Sequence, residues 1–272
     1  MAREMRLREG AVMPEVKGVY VPAGDYNLSG DQFMLHSATG LRFAYRLGDG
    51  AVTIERPAGH DPAEEQLWLN GSVYAAVASI NGLYPIHSSA VAWNGKVYAF
   101  NGPSGAGKST LIAELVRQGL PLFCDDTLLL DLSDPARPMC LPGHKRLKLC
   151  PDALALTGAM AEEPVGAGFD KVYARTQGEP VDTVLPLAEL IVLEEGDAAG
   201  FVPVSGAEKV MRLQDDHYTT DLYLAATRQD RATRFAQLVS LAGSLAMSRF
   251  VRPRDRARFA SDAALARYHL IC

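Results

Sequence analysis

Hydrophobic and polar positions change their period along this chain, and the changes mark its elements. Leu41–Tyr45 and Ala51–Glu55 alternate as half-buried strands do, and Gly48-Asp49-Gly50 between them supplies a hairpin turn. Up to about Arg56 the chain reads as a small β-rich unit in which Tyr20, Tyr26 and His36 serve packing. A polar link, Pro57–Glu65, follows. Asp61 or a neighbour caps a helix expected from about Pro62 to Ile80, with Trp68, Tyr74, Val77 and Ile80 on its apolar side and Asn81-Gly82 at its end. The pattern therefore divides the chain into a β-rich unit over 1–60 and a second domain over 61–272.

Ile86–Trp93 and Lys96–Asn101 are apolar strands joined by Asn94-Gly95, a strong hairpin signal that also fixes a register. Trp93 faces Lys96, Ala90 faces Ala99, Ser88 faces Asn101, and His87 falls opposite Gly102. An antiparallel arm at this point predicts a mixed sheet in an α/β domain. Leu111, Ile112, Leu115 and Val116 have helical spacing closed by Gly119, and Leu120–Cys124 is the next strand. A strand–helix–strand unit implies parallel pairing through a right-handed crossover, so this strand ends beside Gly102. Further on, Thr127–Leu132 pairs with Met139–Leu141, and Ala161–Asp170 reads as a loop. Strands at Ala188–Leu193, Phe201–Val204 and Met247–Val251 and helices at Gly206–Gln214 and Asp230–Ala246 follow. A last helix runs to about Tyr268, its opening Arg252-Pro253-Arg254-Asp255-Arg256 reading as a solvated basic patch.

Composition narrows the function classes. The chain of 272 residues is 48% hydrophobic and 22% charged, as packed globular proteins are. Its net charge of −5 gives no basic field for nucleic acid or anionic membrane, so neither is an expected partner. Apolar runs of about eighteen residues, the length of a membrane span, are missing. Met1–Gly10 is charged throughout, unlike a secretory signal. Cys124, Cys140, Cys150 and Cys272 are widely spaced with no C-x-x-C and read as reduced thiols of a cytoplasmic protein, with a metal cluster as the minor alternative.

The chemistry concentrates at Gly102-Pro103-Ser104-Gly105-Ala106-Gly107-Lys108-Ser109-Thr110, which fits G-x-x-x-x-G-K-[ST] between a strand and a helix. The glycines let backbone N–H groups turn around a phosphate, Lys108 adds a cation, and the Ser109 hydroxyl can ligate Mg²⁺. These residues are the candidate nucleotide-binding site. Asp125 and Asp126 stand at the carboxyl end of the following strand. One suits a metal and the other an attacking hydroxyl, since extended neighbours point to opposite faces. Glu194 and Glu195 are a rival acidic pair on a strand of unassigned position. Arg146 with Lys148, and Lys171 with Arg175, are candidate phosphate or substrate contacts, with a solvated face as the bland alternative. Asp215-Asp216-His217-Tyr218 reads equally as a metal cluster or as helix-end polar residues.

Together, the histidine-bearing strand Ile86-His87-Ser88-Ser89-Ala90-Val91, the loop Gly102–Ser109, the helix end Arg117-Gln118-Gly119 and the pair Asp125-Asp126 resemble the catalytic domain of HPr kinase/phosphorylase, a bacterial serine kinase related in fold to phosphoenolpyruvate carboxykinase. The match covers about Ile86–Leu132. The stretch tied to phosphorolysis in that family is not found, and the family's N-terminal domain is replaced by the short β unit. Leu141-Pro142-Gly143 and Leu147-Lys148-Leu149-Cys150-Pro151-Asp152 are similar to the shorter HPr-kinase-like proteins of ribosomal peptide biosynthesis, some of which phosphorylate the C-terminal serine of lasso-peptide precursors.

The resemblance implies a mixed-sheet P-loop kinase domain that uses ATP or another nucleoside triphosphate with Mg²⁺. It implies Asp125 as general base, Lys108 on phosphate, Ser109 and Asp126 at the metal, and His87 near the transferred phosphoryl group. The expected acceptor is a serine of a peptide or protein. A small-molecule kinase and a nucleotide-sensing module that transfers nothing share the same motifs. A homo-oligomer is left open.

Overall fold

The computed structural model describes residues 5–166, 170–175, 178–179, 181–214 and 217–272. It is a mixed α/β protein that divides into two compact units. The first holds the chain up to Pro85 together with the helix Tyr218–Ala226, and the second holds most of the remainder from Ile86 onward.

In the first unit, Asp25–Ser29, Gln32–His36, Arg42–Arg46 and Val52–Glu55 form an antiparallel meander, and Leu7–Glu9 adds a parallel edge strand beside Val52–Glu55. The alternation read from the sequence is kept, since Phe43, Tyr45, Val52 and Ile54 are buried. Asp61 caps the following helix, its Oδ1 accepting the Ala63 N–H at 2.9 Å. The expected single helix is interrupted. Pro62–Trp68 and Tyr74–Ile80 are separated by a π turn in which Gly71 takes φ −109° and ψ −108°. The first compact unit reaches to Pro85. Val73, Ala75, Ala76 and Ile80 are buried in one cluster with Phe33, Phe43 and Ile54, so this helix covers the first unit's sheet. Leu222 and Ala226 of the distant helix complete the same core.

In chain order the second unit runs β1 (Ser88–Trp93), β2 (Lys96–Asn101), α1 (Lys108–Arg117), β3 (Leu122–Cys124), β4 (Leu128–Asp131), β5 (Met139–Leu141) and β6 (Leu147–Leu149). It continues with α2 (Pro151–Thr157), β7 (Met160–Pro164), β8 (Val172–Arg175), β9 (Leu185–Glu195), β10 (Gly200–Pro203) and α3 (Ala207–Leu213). Then come α4 (Arg231–Ser244), β11 (Ala246–Arg252) and α5 (Phe259–Ile271). The β1–β2 hairpin has the register set by Asn94-Gly95: Trp93 faces Lys96, Ala90 faces Ala99 and Ser88 faces Asn101. Both turn residues have positive φ, 47° and 71°, as a type I′ turn requires.

β9 lies parallel to β2 on its other side, and β11 lies parallel to β9. β3 pairs antiparallel with β1. It therefore runs parallel to β2 but is not hydrogen-bonded to it, which corrects the expected direct pairing: the β1 arm occupies the place beside β2. The carboxyl ends of β2, β3, β9 and β11 consequently lie at one end of the sheet. Val91, Phe100, Leu111, Ile112, Leu115, Ile191 and Phe250 form the core under α1. A separate small sheet, β6–β8–β7, includes Met160–Pro164, which the sequence placed in a loop. Residues 167–169 of that stretch lie outside the described residues.

Candidate active site

β2 ends at Asn101, and the chain turns through Gly102–Gly107 into α1. Gly102 is needed for space, since a Cβ there would stand 3.2 Å from the Leu193 carbonyl oxygen of neighbouring β9. Gly107 is the helix cap and sits at φ 87°, which L side chains avoid. Lys108 is buried and folded back, its Nζ donating to the Gly102 oxygen at 2.7 Å and the Pro103 oxygen at 3.2 Å. The loop thus carries a cation at its centre and the positive end of a ten-residue helix at its edge.

Asp125 and Asp126 follow β3 and face different partners. Asp125 is buried and accepts the Ser109 hydroxyl at 2.9 Å and the Ser89 hydroxyl at 2.6 Å on Oδ1, and the Lys148 N–H at 3.0 Å on Oδ2. Its own N–H donates to the His144 oxygen at 3.0 Å. Asp126 is partly exposed and sits at φ 71°, uncommon for a residue with a side chain. That turn separates the two carboxylates. Lys148 Nζ lies 2.8 Å from Asp126 Oδ2, and His87 Nδ1 lies 2.9 Å from the Asp126 carbonyl and 3.6 Å from its Oδ1. Burial pushes the Asp126 carboxyl up, but the Lys148 and His87 charges outweigh it and hold it below the usual carboxylate range. Burial pushes Lys148 down, and Asp126 more than restores it, so the ammonium is held above its ordinary value.

These residues line an open cavity of about 720 Å³ with Ser104, Gly105, Thr110, Cys150 and Lys171. Of the candidates read from the sequence, His87, Lys108, Ser109, Asp125, Asp126, Lys148 and Lys171 meet here. Arg146 and Arg175 do not. Arg146 pairs with Glu162 at 3.0 Å and Glu163 at 2.5 Å and lies over the Tyr173 ring, while Arg175 pairs with Glu162 at 3.1 Å. Leu147 and Leu149 are buried as the alternation required, but the two cations beside them serve different partners.

The rival acids do have a sheet position, since β9 is the parallel neighbour of β2. Glu194, however, pairs with Arg212 at 2.6 Å and Arg249 at 3.5 Å, and Glu195 with Arg254 at 3.0 Å. Asp215 and Asp216 lie outside the described residues. Two contributors went unread in the sequence. Ser89 is fully buried and fixes Asp125, signalled only by its place beside His87. Arg252, read as part of a solvated patch, donates to the Ala106 oxygen of the loop at 3.2 Å.

The Ser109 hydroxyl and Asp125 carboxylate are hard oxygen donors at a phosphate loop, and this donor set fits Mg²⁺. Among the described residues no group of three or more His, Cys, Asp or Glu is arranged as a metal cage.

No family model matches the chain, and no curated protein matches it. Among solved structures it is similar to the HPr(Ser) kinase/phosphatase of Coxiella burnetii, at 11% identity, over 68% of this chain and 96% of that chain, with a TM-score of 0.35. Among the described residues no helix is long and apolar enough to cross a membrane.

Proposed function

We propose that this protein is a phosphotransferase that moves the terminal phosphoryl group of a nucleoside triphosphate to the serine hydroxyl of a peptide or protein. The observation that carries this reading is the placing of two differently partnered carboxylates, Asp125 and Asp126, across one cavity from a complete phosphate loop. A site that only binds nucleotide has no need of a second carboxylate poised beside it.

In this reading the loop amides and Lys108 take the phosphates, and Lys108 exchanges its carbonyl partners for phosphate oxygens. Ser109 and Asp125 hold Mg²⁺, which when bound with the nucleotide neutralises phosphate charge. Asp126 accepts the proton of the acceptor hydroxyl. These roles reverse the ones implied by the sequence resemblance, because Ser109 bonds to Asp125, while Asp126 is the carboxylate open to the cavity and kept ionised by Lys148. His87 orients Asp126 through its main chain, and Lys148 and Lys171 add positive charge where the transferring group develops negative charge. Little covalent work falls to the protein, so positioning and charge supply most of the rate.

For the acceptor, the sequence resemblance favours the C-terminal serine of a ribosomal lasso-peptide precursor, and ATP is the proposed donor. The cytoplasm is the proposed setting, in keeping with the thiols of Cys124, Cys140, Cys150 and Cys272, all free. Mass spectrometry of peptides ending in serine, incubated with the protein, ATP and Mg²⁺, tests the reading. One added phosphate on the terminal serine, lost with Asp126→Asn, is expected. Phosphate on a small hydroxyl compound but on no peptide would replace the acceptor class, and nucleotide binding without any transfer would leave a sensor.

A further inference from the structure

Arg252 ends β11, two strands away from β2 in the same sheet. Because β2, β9 and β11 are all parallel, its side chain starts at the end of the sheet where the phosphate loop sits. Its guanidinium donates to the Ala106 oxygen at 3.2 Å. It also packs so closely on Gly107 that a Cβ there would lie 2.8 Å from the nearer nitrogen. The Ala106–Gly107 peptide is planar and trans, so its C=O and its N–H point in opposite directions. A cation that draws the carbonyl to one side therefore aims the Gly107 N–H to the other, and Gly107 lines the candidate nucleotide cavity.

A second observation concerns α5. Asp262 lies in its first turn, is only 2% exposed, and its Oδ2 has no hydrogen-bond partner among the described residues. An unpaired buried carboxylate oxygen is costly unless its charge is used. Burial holds the Arg252 guanidinium below its ordinary value; Asp262 opposes that shift and Arg254 adds to it.

We propose that Arg252 is a positioning residue for the nucleotide site, holding the Ala106 carbonyl so that the Gly107 N–H is presented to the phosphates. This rests on the nucleotide-binding reading of the loop. Arg252 is not one of the residues that line the cavity. Its effect falls on nucleotide affinity and not on proton transfer.

The test is equilibrium binding of MgATP, and separately of inorganic tripolyphosphate, to the full chain. The variants are Arg252→Gln, Arg252→Lys and, as reference, Lys108→Ala. Losing a charged hydrogen bond that orients a donor predicts about tenfold or more weakening in Arg252→Gln, by the same factor for both ligands. Arg252→Lys keeps a charged donor and is expected to retain more of the affinity. Unchanged affinity in a folded Arg252→Gln overturns the proposal, as does equal loss in the Gln and Lys variants. If Arg252→Gln does not fold, amide exchange of the wild-type chain decides: the Gly107 amide should gain protection on adding MgATP, and no gain overturns the proposal. Wild-type binding that Lys108→Ala abolishes and Arg252→Gln leaves intact refutes this inference alone. Absence of MgATP binding in the wild type refutes the nucleotide reading beneath it.

Discussion

Lys148 holds Asp126 through its ammonium, 2.8 Å from Oδ2, while its backbone N–H holds Asp125 at 3.0 Å. One residue of β6 thus anchors two adjacent carboxylates by two different groups. The neutral amide leaves Asp125 to Ser89 and Ser109, and the charged amine, with His87, lowers the pKa of Asp126.

The two aspartates are therefore expected to fail differently. Asp126→Asn should retain MgATP binding and lower phosphoryl transfer by about a hundredfold to ten-thousandfold, the range of a lost general base. Asp125→Asn should weaken Mg²⁺-dependent nucleotide binding as well. Calorimetric binding beside single-turnover transfer separates them, and the opposite pattern would restore the roles implied by the resemblance.

The pH profile should respond to Lys148. Asp126 is held below its usual range, so in the wild type its protonation should limit turnover at lower pH than an ordinary aspartate would. Lys148→Met leaves burial, which raises the carboxyl, opposed by His87 but without its main counter-charge. The acid limb of kcat should then move to higher pH. For stability the signs also follow. Asp126, with a lowered folded value, stabilises above its unfolded value of about 3.9, and that contribution is lost as pH falls through the folded value. Lys148, with a raised folded value, stabilises below about 10.4, and its contribution is lost as pH rises through the folded value. Melting temperatures of the wild type and Lys148→Met across pH check both.

Ser89→Ala should reveal a support of the metal site. It removes one of two hydroxyls on Asp125 Oδ1 in a fully buried place, at a stability cost of about 1–3 kcal/mol. The Mg²⁺ concentration giving half-maximal transfer should rise while acceptor KM stays constant. An unchanged Mg²⁺ dependence would limit Ser89 to packing.

Leu111 of α1 is fully buried in the core beneath the loop. Leu111→Ala should destabilise the chain by about 2–5 kcal/mol, read from denaturant unfolding, without altering any group in the cavity.

Local signals were enough for much of this protein. The Asn94-Gly95 turn set the hairpin register pair by pair, because a two-residue turn leaves the strands no other alignment. The spacing of glycines, Lys108 and Ser109 marked the loop, because backbone and helix start build it within one segment. The extent of the first compact unit, by contrast, is set by non-local packing. The apolar side of the helix up to Ile80 shows that it packs, but not on which sheet, and Leu222 and Ala226 join that core from far along the chain.

The site shows the same limit. Sequence named Asp125 and Asp126 but left their roles to resemblance, since neighbours in an extended chain differ only in the side they face. The left-handed turn at Asp126, the β1 arm between β2 and β3, and the approach of Lys148 from β6 assign their partners. Arg252 is the clearest case. In the chain it is one of three arginines in a polar stretch, and only the order of parallel strands brings it to the Ala106 carbonyl. Spacing alone marked the segment that has the pattern of a phosphate loop, because that pattern is a local one. Tertiary structure decided which carboxylate, which lysine and which arginine stand around that segment, because those contacts join residues that no local interaction links.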